Sequence, residues 1–213
     1  MIDVSSLDRN KTTALVIRHA DRDKMAHGQI FQPLNEAGQR NAYELGTKIR
    51  GFRNYLFFSS PVDRCVETAQ SMQSGISTEK MNNPIESTLL GEPGPFVINQ
   101  KNNAFKTTSL KTVIKKQIAH ESLEGMRTTE EGTKIFVDFI LSQLKMAPDR
   151  TLLVFVTHDA ILAPVISELT GEEFGHENWP GFSDGFFMED RVGKYVVIRN
   201  GKAFELRILC DGR

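Results

Sequence analysis

Three short apolar runs constrain the fold of this chain most strongly, because each is continuous rather than alternating. They cover residues 13–17, 55–58 and 152–156, and continuous runs of this length are typical of parallel strands that are buried on both faces. The segments between them have the apolar spacing of helices. Strands that alternate with helices pack as a mostly parallel sheet with helices on both faces. The sequence therefore predicts an α/β fold built as a three-layer sandwich.

Helix-capping signals support this alternation. Asn35 precedes a helical pattern that Gly51 can end, and Ser60 with Pro61 matches an N-cap followed by a first-turn proline. A capping-box pattern at residues 128–131 precedes another long helical segment. From these signals we predict helices that run to about residues 50, 74 and 145, and a fourth helix after residue 158.

The C-terminal part of the chain follows a different pattern. Two strand-like runs, residues 194–199 and 202–209, flank an Asn-Gly pair, which is a strong signal for a β-hairpin. Residues 75–125 are rich in Gly, Pro, Asn and Ser and look less regular. We expect one domain over residues 1–213. Because loops that follow strands surround the ligand site in such folds, we expect residues 75–125 to form a cap or substrate loop.

Composition narrows the possible partners. The 213 residues carry a formal net charge of −1, so no overall positive field attracts nucleic acid or an anionic membrane. The only cysteines are Cys65 and Cys210, which form no disulfide framework and suit a reducing compartment. The first residues lack an apolar stretch behind a basic start, and no run approaches the roughly 18 apolar residues of a membrane span. We therefore expect a soluble, cytoplasmic protein that binds neither nucleic acid nor membrane.

Charged residues and histidines follow each of the three apolar runs: Arg18, His19 and Arg22 the first, Arg64 the second, and His158 with Asp159 the third. Because ligands of an open parallel sheet bind outside the carboxyl ends of its strands, we expect these side chains at one edge. Arg64 also falls in the first turn of a predicted helix, whose free N–H groups favour an anion. The pattern predicts one anion site assembled from three distant segments.

This set of side chains suits a phosphate ester. Guanidinium groups bind phosphate oxygens through paired, charge-assisted hydrogen bonds. The same cations lower the pKa of His19, and a neutral imidazole can attack phosphorus to give a phosphohistidine. Asp159 can protonate the departing alkoxide and later activate water, while His158 and the arginines stabilise charge on the transferred group. The scheme requires neither a metal nor a cofactor.

With these motifs in this order, the chain resembles the histidine phosphatase superfamily, which contains the phosphoglycerate mutases and the histidine acid phosphatases. RHADR at residues 18–22 is similar to the family's RHG signature, and HD at residues 158–159 is similar to the acid-phosphatase HD motif. SSPVDRCVETA at residues 59–69 matches the segment of the family's middle arginine, and residues 33–46 resemble the helix after the first motif. The resemblance implies a phosphoglycerate mutase-like fold. It further implies a nucleophilic His19 and a phosphate site formed by Arg18, Arg22, Arg64 and His158.

Three positions leave alternatives open. Ala20 replaces the family's glycine, and its Cβ either narrows the pocket floor or is tolerated. Lys24 replaces a proline of the acid-phosphatase signature. A surface salt bridge of Arg22 with Asp21 or Asp23 is an alternative to a phosphate contact.

Two carboxylates compete for the role of proton donor. In the acid-phosphatase pattern the donor is the aspartate next to the second histidine, which is Asp159 here. In the mutase-type branch, which this short chain resembles, the donor is usually a glutamate on the middle segment, and Glu92 stands at about that place. The direct pairing with His158 favours Asp159.

Three functions fit this sequence. The preferred one is a metal-independent phosphomonoesterase that hydrolyses a small phosphorylated metabolite through a phosphohistidine on His19. We expect a sugar phosphate as substrate, because the sequence shows no large apolar mouth. The alternatives are phosphoglycerate mutase-like phosphoryl transfer and a phosphate-binding module without turnover.

Overall fold

The computed structural model describes residues 1–5, 7–23, 33–175, 178–191 and 193–206. Within these ranges, seven strands form one sheet. In chain order the strands are β1 (Thr13–Arg18), β2 (Asn54–Ser59), β3 (Ile85–Glu86), β4 (Thr151–Thr157), β5 (Gly185–Arg191), β6 (Lys194–Arg199) and β7 (Lys202–Glu205).

The sheet has the spatial order β3-β2-β4-β1-β5-β6-β7. The pairs β2–β3, β2–β4 and β1–β4 are parallel, and the pairs β1–β5, β5–β6 and β6–β7 are antiparallel. The three predicted apolar runs are therefore neighbours in the centre of the sheet. The predicted α/β fold with a mostly parallel core is confirmed.

Helices cover both faces of this sheet. Alternate residues of β1 contribute to two separate cores: Leu15 and Ile17 to one, Ala14 and Val16 to the other. The first core includes buried residues of α1 and α2, and the second includes those of the remaining helices. None of the helices in the described ranges is long and apolar enough to cross a bilayer. The helices are α1 (Glu36–Lys48), α2 (Asp63–Ile76), α3 (Leu110–Ile118), α4 (Thr129–Met146) and α5 (Asp159–Thr170), with short 3₁₀ turns at Thr88–Leu90 and Ala104–Lys106.

The predicted helix starts are confirmed except at α2. Asn35 caps α1 by accepting from the Gly38 N–H at 2.8 Å, and the capping box at the start of α4 is present. In contrast, α2 begins at Asp63, so the predicted N-cap at Ser60 is wrong. The Ser60 hydroxyl accepts from the N–H of Val62, the residue that precedes α2. Ser60 itself directly follows β2.

The antiparallel side of the sheet is only partly predictable from local sequence. The Asn200-Gly201 pair has φ angles of 50° and 73° and joins β6 to β7, as a two-residue hairpin turn requires. The predicted second hairpin strand extended to residue 209, but β7 ends at Glu205 and residues 207–213 lie outside the described ranges. Strand β5 was not predicted, since its apolar stretch spans only residues 186–188 and its pairing partner β1 is distant in sequence.

Candidate active site

The sheet brings the first and third motifs together at the carboxyl ends of β1 and β4. His19 follows β1 and His158 follows β4, and the His19 N–H donates to the Thr157 carbonyl at 2.9 Å. The centroids of the two imidazole rings are 5.5 Å apart. Arg64 lies in the first turn of α2, as predicted. Three distant segments thus meet at one point, as the parallel order of the strands requires.

Hydrogen bonds fix the tautomer of His19. Its Nδ1 lies 2.8 Å from the Ala20 carbonyl oxygen, which can only accept, so Nδ1 carries the proton. The lone pair is then on Nε2, and the Arg64 Nε–H donates to this atom at 3.1 Å. The Ala20 N–H donates to Thr68 Oγ1 at 2.9 Å, which holds the backbone behind the ring. The nitrogen that faces Arg64 is therefore the one able to act as a nucleophile.

His158 is held between Arg64 and a serine. Arg64 Nη2 lies 3.2 Å from His158 Nδ1, and His158 Nε2 lies 2.9 Å from Ser60 Oγ. Arg64 therefore connects the two imidazoles in a continuous polar chain. Ser60 was predicted to cap a helix, and this contact with His158 was not predicted. Its place at the end of β2, equivalent to the places of His19 and His158, was the available signal.

Both imidazoles are held in their neutral form. Burial, together with the neighbouring His158, Arg64 and Arg18, lowers the pKa of His19 to about 2, although the hydrogen bond to Ala20 opposes the shift. Burial also lowers the pKa of His158 to about 3, with Arg64 as the next cause. A charged imidazole loses hydration on burial and is repelled by the nearby cations. Nε2 of His19 is thus unprotonated over the whole physiological pH range.

Arg18 and Asp159 form an ion pair beside the two histidines and Arg64. Arg18 Nη2 lies 3.0 Å from Asp159 Oδ2, and Trp179 Nε1 donates to the same oxygen at 3.0 Å. The Ala160 N–H donates to Asp159 Oδ1 at 3.1 Å. Arg18 does not line the cavity described below, and its guanidinium stacks on the Phe182 ring at 4.4 Å. Asp159 is consequently surrounded by donors, which suit a carboxylate acting as an acceptor.

The loop that carries Trp179 and Phe182 is anchored by a buried arginine. Arg199, only 5% exposed, donates from Nε to Glu172 at 2.6 Å and from Nη1 to Asp184 at 3.0 Å. These two carboxylates lie at either end of the loop. The roles of Trp179, Phe182 and Arg199 were not predicted, because they depend on contacts between segments that are distant in sequence.

A cavity of about 560 Å³ opens from the two histidines. Arg22, Glu92 and Asp159 all line it. The cavity wall therefore includes both candidate proton donors, Glu92 and Asp159. Arg22 forms no ion pair with any residue in the described ranges and instead donates to the Asp23 carbonyl at 3.1 Å. Glu92 is exposed and makes no hydrogen bond within those ranges. The two carboxylates therefore differ sharply in how strongly they are held.

The two other open positions have simple outcomes. Ala20 is fully buried in the core on the α1–α2 face and does not line the cavity, so its Cβ does not narrow the pocket. Lys24 lies outside the described residues.

Burial raises the pKa of the Cys65 thiol to about 12, which does not suit a thiolate nucleophile. In the ranges that the structure describes, no group of three or more His, Cys, Asp or Glu side chains is placed to hold a metal ion.

Solved structures share this fold over nearly the whole chain. YhfR of Bacillus stearothermophilus has a TM-score of 0.61 at 16% identity, covering 90% of this chain and 97% of that one. A phosphoglycerate mutase of Bacillus anthracis has a TM-score of 0.53 at 16% identity, covering 93% of both chains. A mycobacterial glucosyl-3-phosphoglycerate phosphatase has a TM-score of 0.51 at 15% identity, covering 88% of this chain and 90% of that one.

Sequence comparison gives a second, independent result. No curated protein sequence matches the chain. Residues 14–90, however, match the family model of the histidine phosphatase superfamily (branch 1), and this segment contains Arg18, His19 and Arg64. The match over residues 14–90 confirms the resemblance to the histidine phosphatase superfamily that the motifs predict, and the solved structures confirm the predicted phosphoglycerate mutase-like fold.

Proposed function

We propose that this protein is a metal-independent phosphomonoesterase that forms a phosphohistidine on His19. One observation carries the proposal: the unprotonated Nε2 of His19 faces Arg64 in a buried site that opens into a substrate-sized cavity. A phosphoryl group placed there would meet a nucleophile and a guanidinium at once. The solved structures with this fold include a glucosyl-3-phosphoglycerate phosphatase.

In the first step, Nε2 of His19 attacks phosphorus, a new N–P bond forms and the ester O–P bond breaks. Arg64 transfers its hydrogen bond from Nε2 to a phosphate oxygen, which frees the lone pair for attack. Arg22 lines the same cavity and supplies a second cation for the transferred group. The departing alkoxide requires a proton, because most alcohols are poor leaving groups.

We assign that proton to Glu92 rather than to Asp159. Asp159 already accepts from Arg18, Trp179 and the Ala160 N–H, so both of its oxygens are engaged. Glu92 faces the cavity without such partners in the described ranges, so it is free to carry a proton to the alkoxide. Asp159 then acts by orienting Arg18.

In the second step, the Glu92 carboxylate takes a proton from water as the water oxygen attacks phosphorus. The N–P bond breaks, inorganic phosphate leaves and His19 regains its lone pair. The balance of the two steps is the hydrolysis of one ester bond, and neither step consumes a cofactor.

Turnover of p-nitrophenyl phosphate with and without EDTA tests this function. We expect equal rates in both conditions, and acid-labile phosphate on the intact protein after rapid quenching. Loss of activity with EDTA would contradict metal independence. Phosphate binding without turnover would favour the phosphate-binding module, and phosphoryl transfer between phosphoglycerates without release of phosphate would favour the mutase.

The assignment of the proton donor gives a separate prediction. Glu92→Gln is expected to lower kcat about 10²-fold for an alkyl phosphate, but only a few-fold for p-nitrophenyl phosphate, whose leaving group needs no acid. Asp159→Asn is the matched variant, because Asp159 also lines the cavity, and we expect it to affect both esters by similar factors because Asp159 protonates neither leaving group. If Asp159→Asn alone shows the selective loss on the alkyl ester, Asp159 is the donor.

A further inference from the structure

A cluster of apolar side chains forms part of the wall of the cavity beyond the phosphate site. Its lining includes Pro93, Phe96, Val97, Phe105, Leu110 and Ile161. The expectation of a sugar phosphate depended on the absence of a large apolar mouth, and these side chains supply apolar surface beside the phosphate site. The volume of about 560 Å³ lies in the range of pockets that enclose a drug-sized ligand. Inorganic phosphate alone would leave most of it empty.

This wall is rigidly held. More than half of the lining residues come from residues 91–110, which we call the wall segment. Arg127 fixes its first part: its Nη1 donates to the Pro95 carbonyl at 3.1 Å and to the Val97 carbonyl at 2.8 Å. The Arg127 N–H also donates to the Phe96 carbonyl at 2.7 Å. The apolar surface is therefore preformed, which lowers the entropic cost of binding.

Close packing holds the rings of the wall segment in place. The Phe96 ring lies against Gly132 of α4, where an added Cβ would come within 2.1 Å of it. The buried Asn103 side chain donates to the Asn99 carbonyl at 2.8 Å and accepts from the Phe105 N–H at 3.1 Å. Since its amide is engaged in this way, Asn103 stabilises the wall and is not free to bind a sugar hydroxyl.

Few polar groups of the wall segment remain for a polyhydroxylated substrate. Besides Asn103, the polar side chains of this segment that line the cavity are Glu92, assigned above to proton transfer, and the exposed Gln100 and Lys106. A sugar requires several convergent donors and acceptors, because each buried hydroxyl without a partner costs binding energy. An apolar ring has no such requirement, and it gains from contact with aromatic and aliphatic side chains.

We propose that the physiological substrate is a phosphate monoester of an apolar, ring-bearing alcohol, with its ring in contact with Phe105, Leu110 and Ile161. This inference rests on the proposed phosphatase function. The phosphate would lie at His19 and Arg64, while the wall segment selects the alcohol. The observation that most supports this proposal is the exposure of Leu110. This large apolar side chain is 48% exposed and lines the cavity.

The preference for an apolar alcohol is tested with two phosphate esters of primary alcohols, so that both substrates have the same kind of leaving group. We expect kcat/KM for 3-phenylpropyl phosphate to exceed that for glucose 6-phosphate about 30-fold, through burial of the ring. Leu110→Ser should reduce this ratio about fivefold, through a lower kcat/KM for 3-phenylpropyl phosphate. Ile98→Ser is the matched control, since Ile98 is 61% exposed in the same segment but does not line the cavity.

Failure of the substrate inference and failure of the proposed phosphatase function give different results in these experiments. Preference for glucose 6-phosphate, or equal effects of Leu110→Ser and Ile98→Ser, would overturn the inference alone. If p-nitrophenyl phosphate and both esters are inert, the proposed function fails. Binding of 4-phenylbutylphosphonate, measured by calorimetry, then decides the inference. Binding much tighter than that of methylphosphonate, and weakened by Leu110→Ser, would support it, whereas equal binding of the two phosphonates would overturn it.

Discussion

Replacing His19 by glutamine is expected to lower kcat for p-nitrophenyl phosphate by at least about 10⁴-fold, because the variant lacks the atom that receives the phosphoryl group. Glutamine has a similar reach and keeps two of the local contacts. Its amide can donate to the Ala20 carbonyl and accept from Arg64, as the imidazole does. The fold should therefore survive. Steady-state kinetics and quenched labelling of the intact protein measure the effect.

His120→Gln is the matched control for this variant. The His120 side chain is 63% exposed, its Nε2 lies 3.7 Å from Glu168, and it does not line the cavity. We expect wild-type kcat and a normal phosphoprotein signal for His120→Gln. A His19→Gln protein that keeps near-wild-type turnover with an intact circular dichroism spectrum would remove the phosphohistidine mechanism.

The strand ends explain why much of the site is predictable from sequence. Parallel strands share one carboxyl edge, so continuous apolar runs that end in His19 and in His158 must place both imidazoles there. Arg64 follows the same rule through the first turn of α2. The identity of these residues and their sequence order were therefore sufficient to predict their proximity.

The partners of Asp159 were not predictable in the same way. Its ion pair with Arg18 and its hydrogen bond from Trp179 depend on a loop that Arg199 holds from a different strand. No local pattern encodes such contacts, because the side chains involved are far apart in sequence. The apolar surface of the wall segment was missed for the same reason: Arg127, beyond its end, holds its shape.

Acidification should destabilise the folded protein strongly through its two buried imidazoles. In the unfolded chain both histidines bind protons below about pH 6.5, whereas the folded-state pKa is about 2 for His19 and about 3 for His158. The unfolded state therefore binds more protons, and stability falls as the pH drops through this window. From about pH 8 to about pH 5 the free energy of unfolding should decrease by about 2 kcal/mol for each histidine, or about 4 kcal/mol in total.

Urea denaturation at a series of pH values measures this loss. Most carboxylates titrate below about pH 5, so the interval above it isolates the histidines. His19→Gln and His158→Gln should each remove about half of the pH dependence, and the double variant should remove nearly all of it, whatever the stability of each variant at pH 8. If the double variant loses as much stability as the wild type over this interval, the two imidazoles are not held neutral. Nε2 of His19 would then lack the free lone pair on which the proposed attack depends.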